Sequence, residues 1–141
     1  MNLTILFSIN YLAIAVSSVV FFILGSVWFS GLFRSAWTKE LQHHNVIIKE
    51  PTTADLITKM LLTFAANILA SVAMAFLVIM TGSASFQSGL LLGIIAALGF
   101  ALTTLGSVFI WESRSLKLFL IDVGYPMLGI ITSAIILSLW S

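Results

Sequence analysis

The chain is written in long apolar runs separated by short polar breaks. The first run covers about residues 5–29 and holds no charged side chain; Arg34 is the first one met. Three more runs cover about 53–80, 86–110 and 116–140. A helix of about 20 mostly apolar residues crosses the hydrocarbon core of a bilayer, so each run is long enough for one span. Strands are not expected, because the runs are too long and lack the alternation of apolar and polar residues that a membrane barrel needs.

The breaks carry start and stop signals. Thr52 precedes the second run with Asp55 three residues on, a capping-box pairing that starts a helix. The 81–85 stretch, Thr-Gly-Ser-Ala-Ser, and the 111–115 stretch form tight turns. The longest break, 34–52, places Trp37 four residues before Leu41. That spacing fits a short helix lying in the interface with both apolar side chains toward lipid, or else an ordinary polar loop. The pattern thus predicts an all-α, integral membrane four-helix bundle forming one transmembrane domain over 1–141.

Composition agrees. The chain is 60% hydrophobic and only 8% charged, against about 25% charged in a soluble domain. Four spans leave no room for a separate soluble domain. Residues 1–7 contain no Lys or Arg, so the first run reads as a retained helix and not a secretory leader. The absence of cysteine removes disulfides, thiolate nucleophiles and thiolate metal ligands. No basic patch points to nucleic acid.

Charge sets the orientation. All six basic residues, Arg34, Lys39, Lys49, Lys59, Arg114 and Lys117, lie in or beside the 34–52 and 111–115 connections. The positive-inside rule places those connections in the cytoplasm and both termini outside. Trp28, Trp37 and Trp111 then fall at the cytoplasmic boundary and Trp140 at the outer one, where amphipathic rings settle.

Helix packing in lipid relies on small residues that allow close approach. Span three carries Gly89, Gly93, Ala97 and Ala101 at four-residue steps, a small face for another span or for a second copy of the chain. Gly124 and Gly129 serve the same purpose on span four. Four helices enclose little space, so any solute pathway is more easily built by a homo-oligomer.

Asp122 is the one acidic residue well inside a span. A carboxylate at membrane depth costs roughly 2.5–3.5 kcal/mol on insertion scales, and Asp122 lies about 9 Å in from the start of span four. It is either a proton- or substrate-binding group or a carboxylate held by a nearby cation such as Arg34, Lys59 or Arg114. Asp122, Tyr125, Pro126, Gly129 and Ser133 share one helix face. Pro126 frees the carbonyl of Asp122. Span two offers Lys59, Thr63, Asn67 and Ser71 at strict four-residue steps, and span one places Asn10 and Ser17 on one face. A hydrogen-bonded seam between helices and a solute pathway both fit these stripes. His43 and His44 are adjacent and diverge on a helix, so no metal site is expected, nor any cofactor. No nucleophile elbow, phosphate loop, dinucleotide fingerprint or zinc-protease motif is present, which points away from an enzyme.

Two patches are distinctive together. The first runs Asn10-Tyr11-Leu12-Ala13, then Gly25-Ser26-Val27-Trp28-Phe29-Ser30, Leu32-Phe33 and Ala36-Trp37. The second is Leu118-Phe119-Leu120-Ile121-Asp122-Val123-Gly124-Tyr125. They resemble the small bacterial membrane proteins grouped as domain of unknown function 1761, over nearly the full chain. Phe29 stands where that family has tyrosine, and Gly31 where it has proline. The resemblance implies a four-helix protein of the bacterial inner membrane with no assigned activity. It marks Gly25, Trp28, Phe33, Trp37, Asp122, Gly124 and Tyr125, most of them near the cytoplasmic boundary, so a site built from spans one and four is expected there. The functional expectation is a binding or scaffolding membrane component, with membrane lipid and a second copy as partners and any small ligand unidentified. The alternative is a small permease or proton-linked transporter using Asp122. A lipid-modifying enzyme with Asp122 or Glu112 as base is a third reading.

Overall fold

The computed structural model describes residues 7–141, and its regular elements there are all helical. Helix α1 is Tyr11–Val27, prolonged by a π-helical turn at Trp28–Leu32. Helix α2, Arg34–His43, follows within the first connection. Helix α3 is Thr53–Thr81. The third span is broken into α4, Phe86–Ala96, a second π-helical turn at Ala97–Leu102, and α5, Thr103–Glu112. Helix α6 is Leu116–Leu139.

Local chemistry explains the ends. The side chain of Asn10 accepts from the Ala13 amide at 3.1 Å and caps α1, so Asn10 precedes the helix and does not share a helical face with Ser17. Residues 5 and 6, where the sequence pattern begins the first span, lie outside the described residues. Thr52 accepts from the Asp55 amide and returns its hydroxyl to the Asp55 carboxylate at 2.8 Å. Gly82, at φ +66°, ends α3 in the left-handed region where glycine carries no Cβ penalty. Ser85 and Ser88 cap α4 reciprocally, and Ser115 caps α6.

Four helical stretches are long and apolar enough to cross a membrane: Tyr11–Leu32, Thr53–Thr81, Phe86–Glu112 and Leu116–Leu139. Only 22–33% of the most apolar window of each is buried inside the protein. Side chains such as Leu61, Leu69, Ile95, Phe100 and Ile110 point outward. Water would not tolerate so large an apolar exterior, whereas lipid does.

Helix α6 is the central strut, packed against α4, α1 and α3. Its contact with α4 is set by glycine. A Cβ on Gly93 would lie 2.7 Å from the Cα of Ile131, and one on Gly89 would lie 2.9 Å from the carbonyl oxygen of Ala134. Helix α6 is therefore the neighbour that the small face of α4 meets. Ala101, the last residue of the four-residue stripe, is half-buried. Ala96 and Ala97 are both buried where the π-turn begins. On the opposite face of the π-turn, a Cβ added at Gly99 would meet nothing within 4 Å.

The helices alternate in direction, which gathers the connections at two ends. At one end Asn10 Nδ2 donates to the Trp140 carbonyl at 3.2 Å, and the Ser141 hydroxyl donates to the Ser83 carbonyl at 3.1 Å. At the other, α2 and the turn between α5 and α6 meet.

Candidate functional site

The site is built on three reciprocal contacts that α1 and the start of its π-turn make with the 124–129 stretch of α6. Phe21, Gly25 and Trp28 fall on one face of α1, at steps of four and three. Each meets a complementary residue on the antiparallel α6. Phe21 sits over Gly129, where a Cβ would come within 1.8 Å of the ring; Tyr125 sits over Gly25 at 2.6 Å; Trp28 sits over Gly124 at 2.6 Å. Large rings enter notches left by glycine, which brings the two backbones close. Phe21 meets Tyr125 edge to face, with centroids 5.4 Å apart.

Trp28 also donates its indole N–H to the carbonyl of Ile121 at 2.9 Å. That carbonyl belongs to the turn just ahead of Pro126, where the helix ladder is weakened. Phe29, one residue on, stacks edge to face against both Trp37 and Tyr125, each at 5.6 Å. The π-turn at Trp28–Leu32 places these successive rings on the inside together. Trp28 and Trp37 are therefore docked against the bundle and are not outward-facing belt rings; Trp111, 86% exposed, does point outward.

Helix α2 is fastened across this end. Trp37 donates to Asp122 Oδ1 at 2.9 Å, and Arg114 Nη1 lies 3.6 Å from Asp122 Oδ2. Arg114 also pairs with Glu112. One turn further along α2, Glu40 accepts from the Ser115 hydroxyl at 2.6 Å and lies 3.8 Å from the Lys117 ammonium. His44 Nε2 accepts from the Ser115 amide at 3.1 Å. Leu41 is buried. Of the two readings of the 34–52 break, the short helix is the one present, over Arg34–His43, but its apolar face, Trp37 and Leu41, turns onto the protein and not toward lipid. The bundle offers that face both an apolar surface and a carboxylate for the indole N–H.

Deeper in the membrane, Tyr125 donates its hydroxyl to Asn67 Oδ1 at 3.1 Å. Ser17 and Ser71 hydrogen-bond at 3.2 Å between α1 and α3. Asn67 and Ser71 of the α3 stripe face inward, while Lys59 and Thr63 are exposed. The Asn67 amide nitrogen is buried without a hydrogen-bond partner.

Of the residues singled out from sequence, Gly25, Trp28, Trp37, Gly124, Tyr125 and Asp122 converge here, with Asn67 joined through Tyr125. Gly89, Gly93 and Ala97 belong to the α4–α6 contact away from the site. Sequence reasoning missed Phe21, Glu40, His44 and Ser115. Phe21 was signalled by its four-residue step to Gly25, and Ser115 by its place just ahead of an apolar run. The His44 and Glu40 contacts left no local signal. Among the described residues, no group of three or more His, Asp or Glu side chains converges to hold a metal ion.

Four apolar helices and a polar cluster at one end of them define an all-α, multi-pass membrane protein. Residues 12–138 match the family described as protein of unknown function (DUF1761), and the chain belongs to that family. No curated protein and no solved structure matches it.

Proposed function

We propose that the protein is a binding and scaffolding component of the membrane, without catalysis, in which Asp122 fastens α2 onto the bundle. The observation that carries this reading is the occupancy of Asp122. One carboxylate oxygen accepts from Trp37 and the other faces Arg114. Both partners come from the chain itself, as in a structural ion-pair network. A carboxylate that carries protons or cations through a membrane has to be released to exchange them. Here its partners also anchor a helix with three further contacts. By the positive-inside rule the charged end is cytoplasmic and both termini are outside, in the inner membrane of a bacterium. The lipid-exposed helix faces leave area for a second copy of the chain.

One observation favours a second reading, a small proton-linked permease. The unpartnered Asn67 nitrogen lies near the middle of α3, and its side chain is one hydrogen bond from Tyr125, itself one helical turn from Asp122. Buried polar groups at that depth often line pathways.

Reconstitution into proteoliposomes separates the two. The scaffold reading expects no proton or solute flux above empty liposomes. A pH-driven flux abolished by Asp122→Asn would replace it with the permease. Single cysteines at Asn45, Ala84 and Ser141, probed with an impermeant thiol reagent, test the orientation. Labelling at position 45 from the side that also labels position 84 would overturn it.

A further inference from the structure

The cations at the charged end divide into two groups. Arg114 and Lys117 are paired with carboxylates. Arg34, Lys39, Lys49 and Lys59 form no ion pair with any described residue. Of these, Lys59 edges an opening between α1 and α3, and Arg34 and Lys39 line a hollow that shares Ser30 with it. Toward the other end, α1 and α3 are held together by the Ser17–Ser71 bond and the Phe22–Phe64 ring contact. Beyond that contact they separate and leave a groove of about 600 Å³, with Phe22, Phe29 and Met60 on its walls, Gly25 and Tyr125 at its floor and Lys59 at its edge. Ser30, in the π-turn, lines this groove and also a shallow polar hollow of about 490 Å³ formed with Arg34, Ser35, Thr38 and Lys39.

We infer that the groove and hollow together form a binding site for an anionic phospholipid, the acyl chain lying against Phe22, Phe29 and Met60 and the phosphate meeting Arg34, Lys39 and Lys59. The inference rests on the reading of the protein as a binding component and names its ligand class. Charge complementarity selects the occupant. Arg34, Lys39 and Lys59, unpaired, and the hydroxyl side chains of Ser30, Ser35 and Thr38 line the hollow and the edge of the groove at the level of the headgroups, and the walls below are apolar. From Phe22 to Ser30 the groove extends about 12 Å along α1, comparable to one leaflet of a hydrocarbon core about 30 Å thick. Arginine contributes forked donors suited to phosphate, and lysine a compact charge. A neutral zwitterionic lipid would fill the groove equally well and gain less at the hollow.

The full chain, extracted into mild detergent, is equilibrated with equal amounts of phosphatidylglycerol and phosphatidylcholine, and retained lipid is counted by native mass spectrometry. Phosphatidylglycerol is expected in excess. Each of Arg34→Gln, Lys39→Gln and Lys59→Gln is expected to lower that excess about fivefold at most, while Lys49→Gln, outside the groove, leaves it unchanged. Thr63→Trp, which fills the groove from an exposed position, is expected to remove retained lipid of both kinds. Equal retention of the two lipids would overturn the inference, as would an equal loss in Lys49→Gln or full retention in Thr63→Trp. Retention is read in detergent without a gradient, so flux in proteoliposomes bears on the scaffold reading alone.

Discussion

Helices α4 and α5 come from one uninterrupted apolar run and have opposite roles. Helix α4 is docked: Gly89, Gly93 and Ala96 are buried, and the first two approach α6 backbone to backbone. Helix α5 has no buried residue. Between them lies the π-turn at Ala97–Leu102. Helix α6 is buried along its whole length, at Leu118, Ile121 and Val123 as well as at Gly129, Ser133, Ala134, Leu137 and Ser138, and its first half also carries Asp122 and the contacts to α2. The α4–α6 contact is thus held by close approach of small residues, while the charged end adds hydrogen bonds and ion pairs to the rings seated on Gly25 and Gly124. In lipid, apolar burial between helices contributes little, so van der Waals fit and polar contacts decide which segments dock.

The comparison breaks most readily at α4. Gly93→Leu forces a side chain against the Ile131 backbone, which cannot rotate away. A loss of about 3 kcal/mol is expected in reversible unfolding in mixed micelles. Wild-type stability in that variant would mean that α4 is not docked as described.

At the polar end, Asp122→Ala leaves the Trp37 indole without its acceptor and Arg114 without one of its two carboxylates. A loss of about 2 kcal/mol is expected. A spin label at Gln42→Cys, in a chain with no other cysteine, should gain mobility while α4 stays docked. Unchanged mobility would show that α2 is held by Leu41, Glu40 and His44 without Asp122.

Tyr125→Phe removes only the bond to Asn67. The expected loss is about 0.6 kcal/mol, the usual size of a hydrogen bond between helices in a membrane. Combining it with Asn67→Ala should add nothing further from that bond, and a double-mutant cycle measures this directly.

The smallest effect belongs to Gly99→Leu. With nothing near the added Cβ, stability should stay within about 0.5 kcal/mol of wild type. A loss comparable to that of Gly93→Leu would erase the distinction between the two halves of the span.

Much of this architecture was legible in the chain. Thr52 and Asp55 mark the start of α3 because a capping pair acts within four residues. Gly89 and Gly93 mark a packing face because helical spacing alone places them together. The resemblance carried by Gly25, Trp28, Trp37, Asp122, Gly124 and Tyr125 indicated the charged end of spans one and four. The π-turns were not legible, since an apolar run has the same composition with or without one extra residue in a turn. The direction of α2 was not legible either. Trp37 and Leu41 form an apolar face, and that face fits lipid or protein equally well until a neighbour supplies Asp122.

By itself the sequence determined the class of the protein: four helical spans, their breaks and caps, and the gathering of cations beside two connections. These follow from hydropathy and from contacts made within a few residues, which need no knowledge of the fold. Only the tertiary structure decided that Asp122 serves Trp37 and Arg114, that aromatic rings fill the glycine notches of α6, and that Arg34, Lys39 and Lys59 line the hollow and the edge of the groove unpaired. Those outcomes depend on which side chains from distant segments arrive together, and local patterns carry no information on that.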